Sequence, residues 1–176
     1  RDFKLEQKAV IANIGVVIGV GVSIRLDIDL ANRIDSEELN VTKDSILLLR
    51  NIGPIGAPGM PEAGLIPIPK KLAKIGVKDM VRISDGRMSG TASGTIVLHV
   101  CPESAVGGPL NIVESGDTIK LDVKNRSLEL MISEEEIELR KKNKIMPAKI
   151  KRRGYNKIFH ENVLQADKGV DFDFLR

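Results

Sequence analysis

The amino-acid sequence predicts a mixed α/β domain built on a strongly curved, β-barrel-like sheet flanked by short helices. Three observations predict it. Short runs rich in Ile, Val and Leu recur along the chain, separated by polar punctuation. Only a few stretches carry helix start and stop signals. Glycine and proline gather at the corners between the runs.

The elements follow in order. "GVVIGVGVSIRLDIDL" is β-branched and then alternates strictly from Ser23 to Leu30, which predicts a strand. The apolar stretch from Ala9 to Ile24 has 16 residues and is broken by glycines, whereas a membrane span needs about 20. It is read as buried strand, and no membrane is expected as partner. Gly19 and Gly21 lack the third glycine and the helix of a dinucleotide fingerprint. "DSEELNV" reads as a helical turn and "SILLLRN" as a buried strand. "GPIGAPGMPEAGLIPIP" is too rich in proline and glycine for regular structure, and its apolar content argues against disorder. A long irregular segment of this kind inside a compact domain is usually functional. "PKKLAKIG" has proline at a helix start and glycine just past its end. "DMVRIS" and "TIVLHV" are strands on either side of "SDGRMSGTASG". "PESA" starts a short helix, with Pro102 suited to its first turn. "GDTIKLDVKNRSLELMIS" is a hairpin by its alternation and polar turn. "SEEEIELRKKN" is a helix with Ser133 as N-cap and Glu136 completing a capping box. "NKIFHENVLQAD" is a short helix, followed by the acidic-aromatic tail "GVDFDF".

Composition narrows the function classes. The 176 residues carry a net charge of +3, much of it in the run from Arg140 to Arg153. That run reads as a solvated helix end and connector rather than a nucleic-acid arm. No Trp and one Tyr also argue against base-stacking platforms, so no nucleic acid is expected as partner. The single cysteine, Cys101, excludes an internal disulfide and any CxxC metal knuckle. It reads as a buried small hydrophobe and suits a reducing, cytoplasmic location.

Three features could carry chemistry. The loop around Ser89 joins two strands, and its glycines allow close approach of backbone N–H groups to an anion. The same loop is also readable as a plain connection whose hydroxyls satisfy turn backbone. Glu62 sits in the rigid "PGMPEAG" loop. It is either an exposed loop carboxylate or, if buried, a group that must be paired or bound to a hard cation such as Mg²⁺. His99 lies at a strand end and reads as a core histidine with satisfied nitrogens, and His160 reads as a surface residue. No zinc site or Ser-His-Asp triad is supported. Asp85 and Arg87 are expected to form an ion pair that shapes the loop.

"GAPGMPEAG", "VRISDGRMSGTASGTIVLHVCPESAVGGPL", "ESGDTIKLDV" and "RGYNKIFHENVLQADKGVDFDFL" together resemble the C-terminal domain of the dihydroxy-acid and sugar-acid dehydratases, the IlvD/Edd family. The match runs from Ser45 to Leu175, and the PGMPE, D-G-R-x-S-G and H-V-x-P-E motifs in combination are specific to it. Within the family the motifs look closest to the pentonate (arabinonate or xylonate) branch. The resemblance implies a swivelling domain that closes over a cofactor held by a large N-terminal partner domain. It implies dehydration of a small hydroxy acid, here an aldonate, to a 2-keto-3-deoxy acid. Ser89 then takes the C2 proton, Thr91 is a neighbouring assisting hydroxyl and Glu62 is a Mg²⁺ ligand. An iron–sulfur cluster is implied too, with its ligands in the N-terminal domain, which this chain lacks. Cys101 does not match a cluster-ligand position, and Asn162 stands where the family commonly has histidine. Alone, the chain is therefore expected to be inactive. Residues 1–44 match poorly and are expected to be a strand-rich part of the same domain. Residues 45–176 are expected to be the dehydratase domain carrying the serine loop. A homo-oligomer is implied. The alternatives are a branched-chain 2,3-dihydroxy-acid dehydratase and a non-catalytic domain that binds a ligand or a subunit.

Overall fold

The computed structural model describes residues 16–25, 28–62, 66–90, 93–144 and 153–175. The described residues form six strands: β1 (Val16–Arg25), β2 (Ile46–Arg50), β3 (Arg82–Ser84), β4 (Ile96–Val97), β5 (Thr118–Asp122) and β6 (Ser127–Leu130). They form one sheet in the order β4-β3-β2-β1-β5-β6. Strands β1 to β4 pair in parallel, while β5 is antiparallel to both β1 and β6. This confirms a mixed α/β architecture. No ladder joins β4 to β6 among the described residues, so the order is open rather than a closed barrel.

The sheet has apolar cover on both faces, and β2 shows why. Its run "ILLLR" lacks the polar alternation of a half-exposed strand because both sides are buried. Leu47 and Leu49 pack with Ile34, Leu39, Ile52, Ile66 and Leu72. Ile46 and Leu48 point the other way, toward Ile83, Val97, Leu110, Ile119 and Leu121. Parallel neighbours need a crossover that leaves the sheet. Between β1 and β2 that crossover includes helix α1 (Ile28–Arg33). The strand expected to run to Leu30 has therefore given way to helix by Ile28, since continued alternation cannot return the chain to a parallel partner.

Helix α2 (Lys70–Lys74) starts after Pro69 and closes as the sequence predicts. Val77 N–H donates to Leu72 O and Gly76 N–H to Ala73 O, a Schellman arrangement. Strand β4 is shorter than "TIVLHV" because His99 has φ 55°, outside the strand region. The hairpin of β5 and β6 forms where it is expected. Pro102 follows a cis bond and precedes, rather than opens, the 3₁₀ turn Ser104–Val106. Glu103 takes the flanking position, and its side chain is directed at the chain near Gly56.

Helix α3 (Glu134–Asn143) is capped by Ser133, whose Oγ accepts from Glu136 N–H at 3.2 Å. The other half of the capping box is replaced, since the Glu136 carboxylate accepts from Arg140 Nε at 2.6 Å. No residue of α3 is buried. The helix is docked by Arg140, which forms a bidentate pair with Asp117 at 2.6 and 3.1 Å and donates to Ile112 O at 3.1 Å. Helix α4 (Gly154–Asn162) joins the C-terminal turns through the rings of Phe159, Phe172 and Phe174. No helix among the described residues is long and apolar enough to cross a membrane.

Candidate functional site

The loop between β3 and β4 is rooted on a buried carboxylate. Asp85 is 1% exposed. Its Oδ2 accepts from Asn51 N–H at 3.1 Å and Ser104 N–H at 2.9 Å, and its Oδ1 from Ile52 N–H at 3.1 Å. The Ser104 hydroxyl binds it as well. A buried carboxylate needs that many donors to offset its desolvation. Ser84 Oγ accepts from Gly86 N–H at 2.9 Å. Gly86 cannot be larger, because a Cβ there would collide with the Ile52 side chain.

The far end of the loop is rooted on an ion pair. Arg82, 5% exposed, bonds Asp79 at 2.8 Å, Ser93 O at 3.0 Å and Ile66 O at 3.3 Å. Asp79 Oδ2 accepts from both the N–H and the hydroxyl of Thr95 at 3.0 Å. Gly94 passes over this pair at φ 116°, a conformation that only glycine adopts readily.

Between these roots the loop meets the irregular Gly/Pro segment. Arg87 Nε donates to Met60 O at 2.6 Å, and its guanidinium lies 3.4 Å from Glu62 Oε1. The expected Asp85–Arg87 pair is therefore not made. Asp85 faces inward to backbone N–H groups, which offset its burial better than one exposed cation would, and Arg87 pairs outward with Glu62. Ser89 is half-buried, two residues beyond Arg87. Thr91 lies outside the described residues.

A second buried carboxylate fixes the Gly/Pro segment. Glu103, 0% exposed, accepts from Ile55 N–H, Gly56 N–H and Gln165 Nε2, each at 2.8 Å. Gln165 Oε1 in turn accepts from Glu103 N–H at 2.9 Å. Burial pushes the Glu103 carboxyl above its usual value, and these donors oppose the shift. His99 is bound through its backbone N–H to Gly86 O at 3.1 Å. Burial first, and the Arg87 charge second, hold its imidazole below the usual value. Its Nδ1 is buried without a partner among the described residues, so the expected satisfied core histidine is not what forms. His160 packs edge-on to Phe159 on α4, within the C-terminal ring cluster. Asn162 Nδ2 donates to Ile158 O within the same helix at 2.7 Å.

The structure thus places Ser89 and Glu62 on two loops joined by Arg87. Sequence reasoning missed Glu103, Gln165 and the Asp79–Arg82 pair. Arg82 offered a signal, being a cation set between Val81 and Ile83 in a strand, where burial demands partners.

No group of three or more His, Cys, Asp and Glu able to hold a metal exists among the described residues. Glu62 suits a Mg²⁺ that takes one protein carboxylate and completes its shell with water and substrate oxygens. A cation, the Arg87 guanidinium, already stands at its carboxylate. The residues do not fit an iron–sulfur cluster. Cys101 is the single cysteine, and burial pushes its thiol up, away from the thiolate that a cluster binds.

A model of the family described as dihydroxy-acid/6-phosphogluconate dehydratase C-terminal matches residues 11–170. The chain is 55% identical over 147 residues to a putative dehydratase IlvD1 of Rhizobium meliloti (strain 1021), covering 84% of the chain and 26% of that relative. It is 50% identical over 147 residues to a 6-deoxy-6-sulfo-D-gluconate dehydratase of Pseudomonas putida, covering 84% and 25%. It is 47% identical over 152 residues to an L-arabinonate dehydratase of Rhizobium leguminosarum bv. trifolii (strain WSM2304), covering 84% and 26%. The chain spans about a quarter of the length of these relatives.

Proposed function

Because the chain belongs to the C-terminal family of the dihydroxy-acid and 6-phosphogluconate dehydratases, we propose that it forms the serine-bearing part of a hydro-lyase acting on a sugar acid. The product is a 2-keto-3-deoxy acid. The observation that carries this reading is the junction of the Ser89 loop with the Glu62 loop through Arg87. The sugar-acid names of two relatives favour an aldonate over a branched-chain dihydroxy acid.

The roles follow from the chemistry. Ser89 Oγ, as the base, takes the proton from C2 of the substrate. The C2–H electron pair becomes the C2=C3 bond, the C3 hydroxyl departs with its bonding pair, and the one proton taken from C2 and held on Ser89 Oγ is returned to complete the water and reset the base. The enol then tautomerises to the keto acid. A serine is a poor base at its free pKa, so positive charge must lie close by. A Mg²⁺ on Glu62 would supply charge and hold the substrate's carboxylate. Arg87 adds a second cation two residues from Ser89 and holds its loop in register. Asp85 and Arg82 keep the loop roots fixed, so Ser89 approaches the substrate without reorganisation. Thr91, two residues on in the sequence, is assigned the assisting hydroxyl. The partner is the remaining part of such a dehydratase, over which this domain closes, and cluster chemistry belongs to that part.

The test is turnover by the longest form of the protein its gene encodes, purified anaerobically and supplied with Mg²⁺. Pentonates and hexonates should be dehydrated. Ser89→Ala should lower kcat at least about a thousandfold, as loss of the base in a proton abstraction does. Turnover restricted to 2,3-dihydroxy branched acids would move the substrate assignment. Full activity in Ser89→Ala would remove Ser89 from the chemistry. No turnover of either class would favour a binding domain.

A further inference from the structure

We propose that Arg87 is a positioning residue that ties the tip of the Ser89 loop to the tip of the Glu62 loop through Met60 O, and so keeps the Ser89 loop in register whether or not a cation occupies Glu62. The roles of Ser89 and Glu62 rest on the dehydratase reading above, whereas the tie rests on geometry. Asp85 and Arg82 join the roots of the two loops. Arg87 joins their tips across 27 residues of sequence.

The two contacts of Arg87 differ in kind. The bond from Nε to Met60 O is 2.6 Å long and charge-assisted. Met60 is 4% exposed and is itself held by its N–H on Ala57 O at 2.8 Å, so it is a fixed post. The Glu62 contact is longer, 3.4 Å, between side chains that are 46% and 49% exposed. A pair so exposed contributes little alone. Arg87 also starts from fixed backbone, because Asp85 and Gly86 are both buried. A cation arriving at Glu62 therefore displaces only the weak contact. The loop keeps its register on Met60, while the guanidinium, released from the carboxylate, remains two residues from Ser89.

The test is hydrogen exchange by mass spectrometry on the longest form of the protein, without substrate, with and without Mg²⁺. In Arg87→Met the amides of 57–62 and 86–90 should exchange about tenfold faster while the sheet and the helices are unchanged. Glu62→Gln, which keeps the Met60 bond, should change them by less than about twofold. Arg87→Lys keeps the charge but lacks the Nε donor, so loosening in it as well assigns the tie to Met60. Exchange equal to wild type in both Arg87 variants overturns the proposal. In steady state Arg87→Met should lower kcat by about 10–100-fold with KM little changed, and Arg87→Lys should recover part of it. Loosened loops in a protein that dehydrates no hydroxy acid would leave the tie standing and sink the dehydratase reading instead.

Discussion

The His99 imidazole is held below its usual value for a physical reason, and that has a measurable consequence. Burial and the Arg87 charge both disfavour the imidazolium. The unfolded chain, with His99 at its ordinary value of 6.5, binds that proton more readily than the folded chain does. Stability is then level above this value and falls as pH drops through it toward the depressed folded value. His99→Asn removes the titration and keeps a residue that tolerates φ 55°. The drop in Tm between pH 7 and pH 5.5 should accordingly be shallower in His99→Asn. Glu103, held above 4.5 by burial, works in the opposite sense as pH falls, so the comparison with wild type is the informative measurement. At this scale the motifs made the family legible. The work of Asp85 and Glu103 was not legible, because the N–H groups they satisfy lie 34 and 48 residues away. A carboxylate next to an arginine reads as an ion pair until the backbone that needs it is in place.

Helix α3 shows the limits of propensity for an element. Its capping and charge order made it legible, and its place in the fold was not, since no apolar stripe faces the core. The attachment is electrostatic, with Arg140 only 14% and Asp117 only 9% exposed in their side chains. Asp117 first, and Glu136 after it, hold the guanidinium firmly in its charged form. Arg140→Met should release α3 while the sheet stays folded, at a cost of about 3–5 kcal/mol. Amides of 134–143 should lose protection, and those of β2 should not. Strand lengths were legible only where pairing partners were long. The strand β4 ends at Val97 because the backbone turns left-handed at His99, a local choice that alternation does not encode.

At the scale of the whole molecule, β1 is the strand that joins a parallel half to an antiparallel half. Gly19 sits at this junction, and a Cβ there would meet Asp44 O at 2.6 Å. Gly19→Ala should destabilise the fold by about 1–3 kcal/mol through overpacking, read as a Tm lowered by several degrees. Two-faced burial was legible in the unbroken run of β2, but the strand order was not, because a parallel crossover leaves no mark on the strands it joins. That order also sets a timetable for synthesis. Strand β1 leaves the ribosome roughly a hundred residues before β5, its antiparallel partner. At a translation rate of about 5–20 residues per second, it waits on the order of 5–20 s with one edge bare. A valine-rich segment in that state is a template for pairing with other chains. The glycines at 19 and 21 lower its tendency to stack, so the residues that admit close neighbours in the finished sheet also keep the nascent strand from finding the wrong ones.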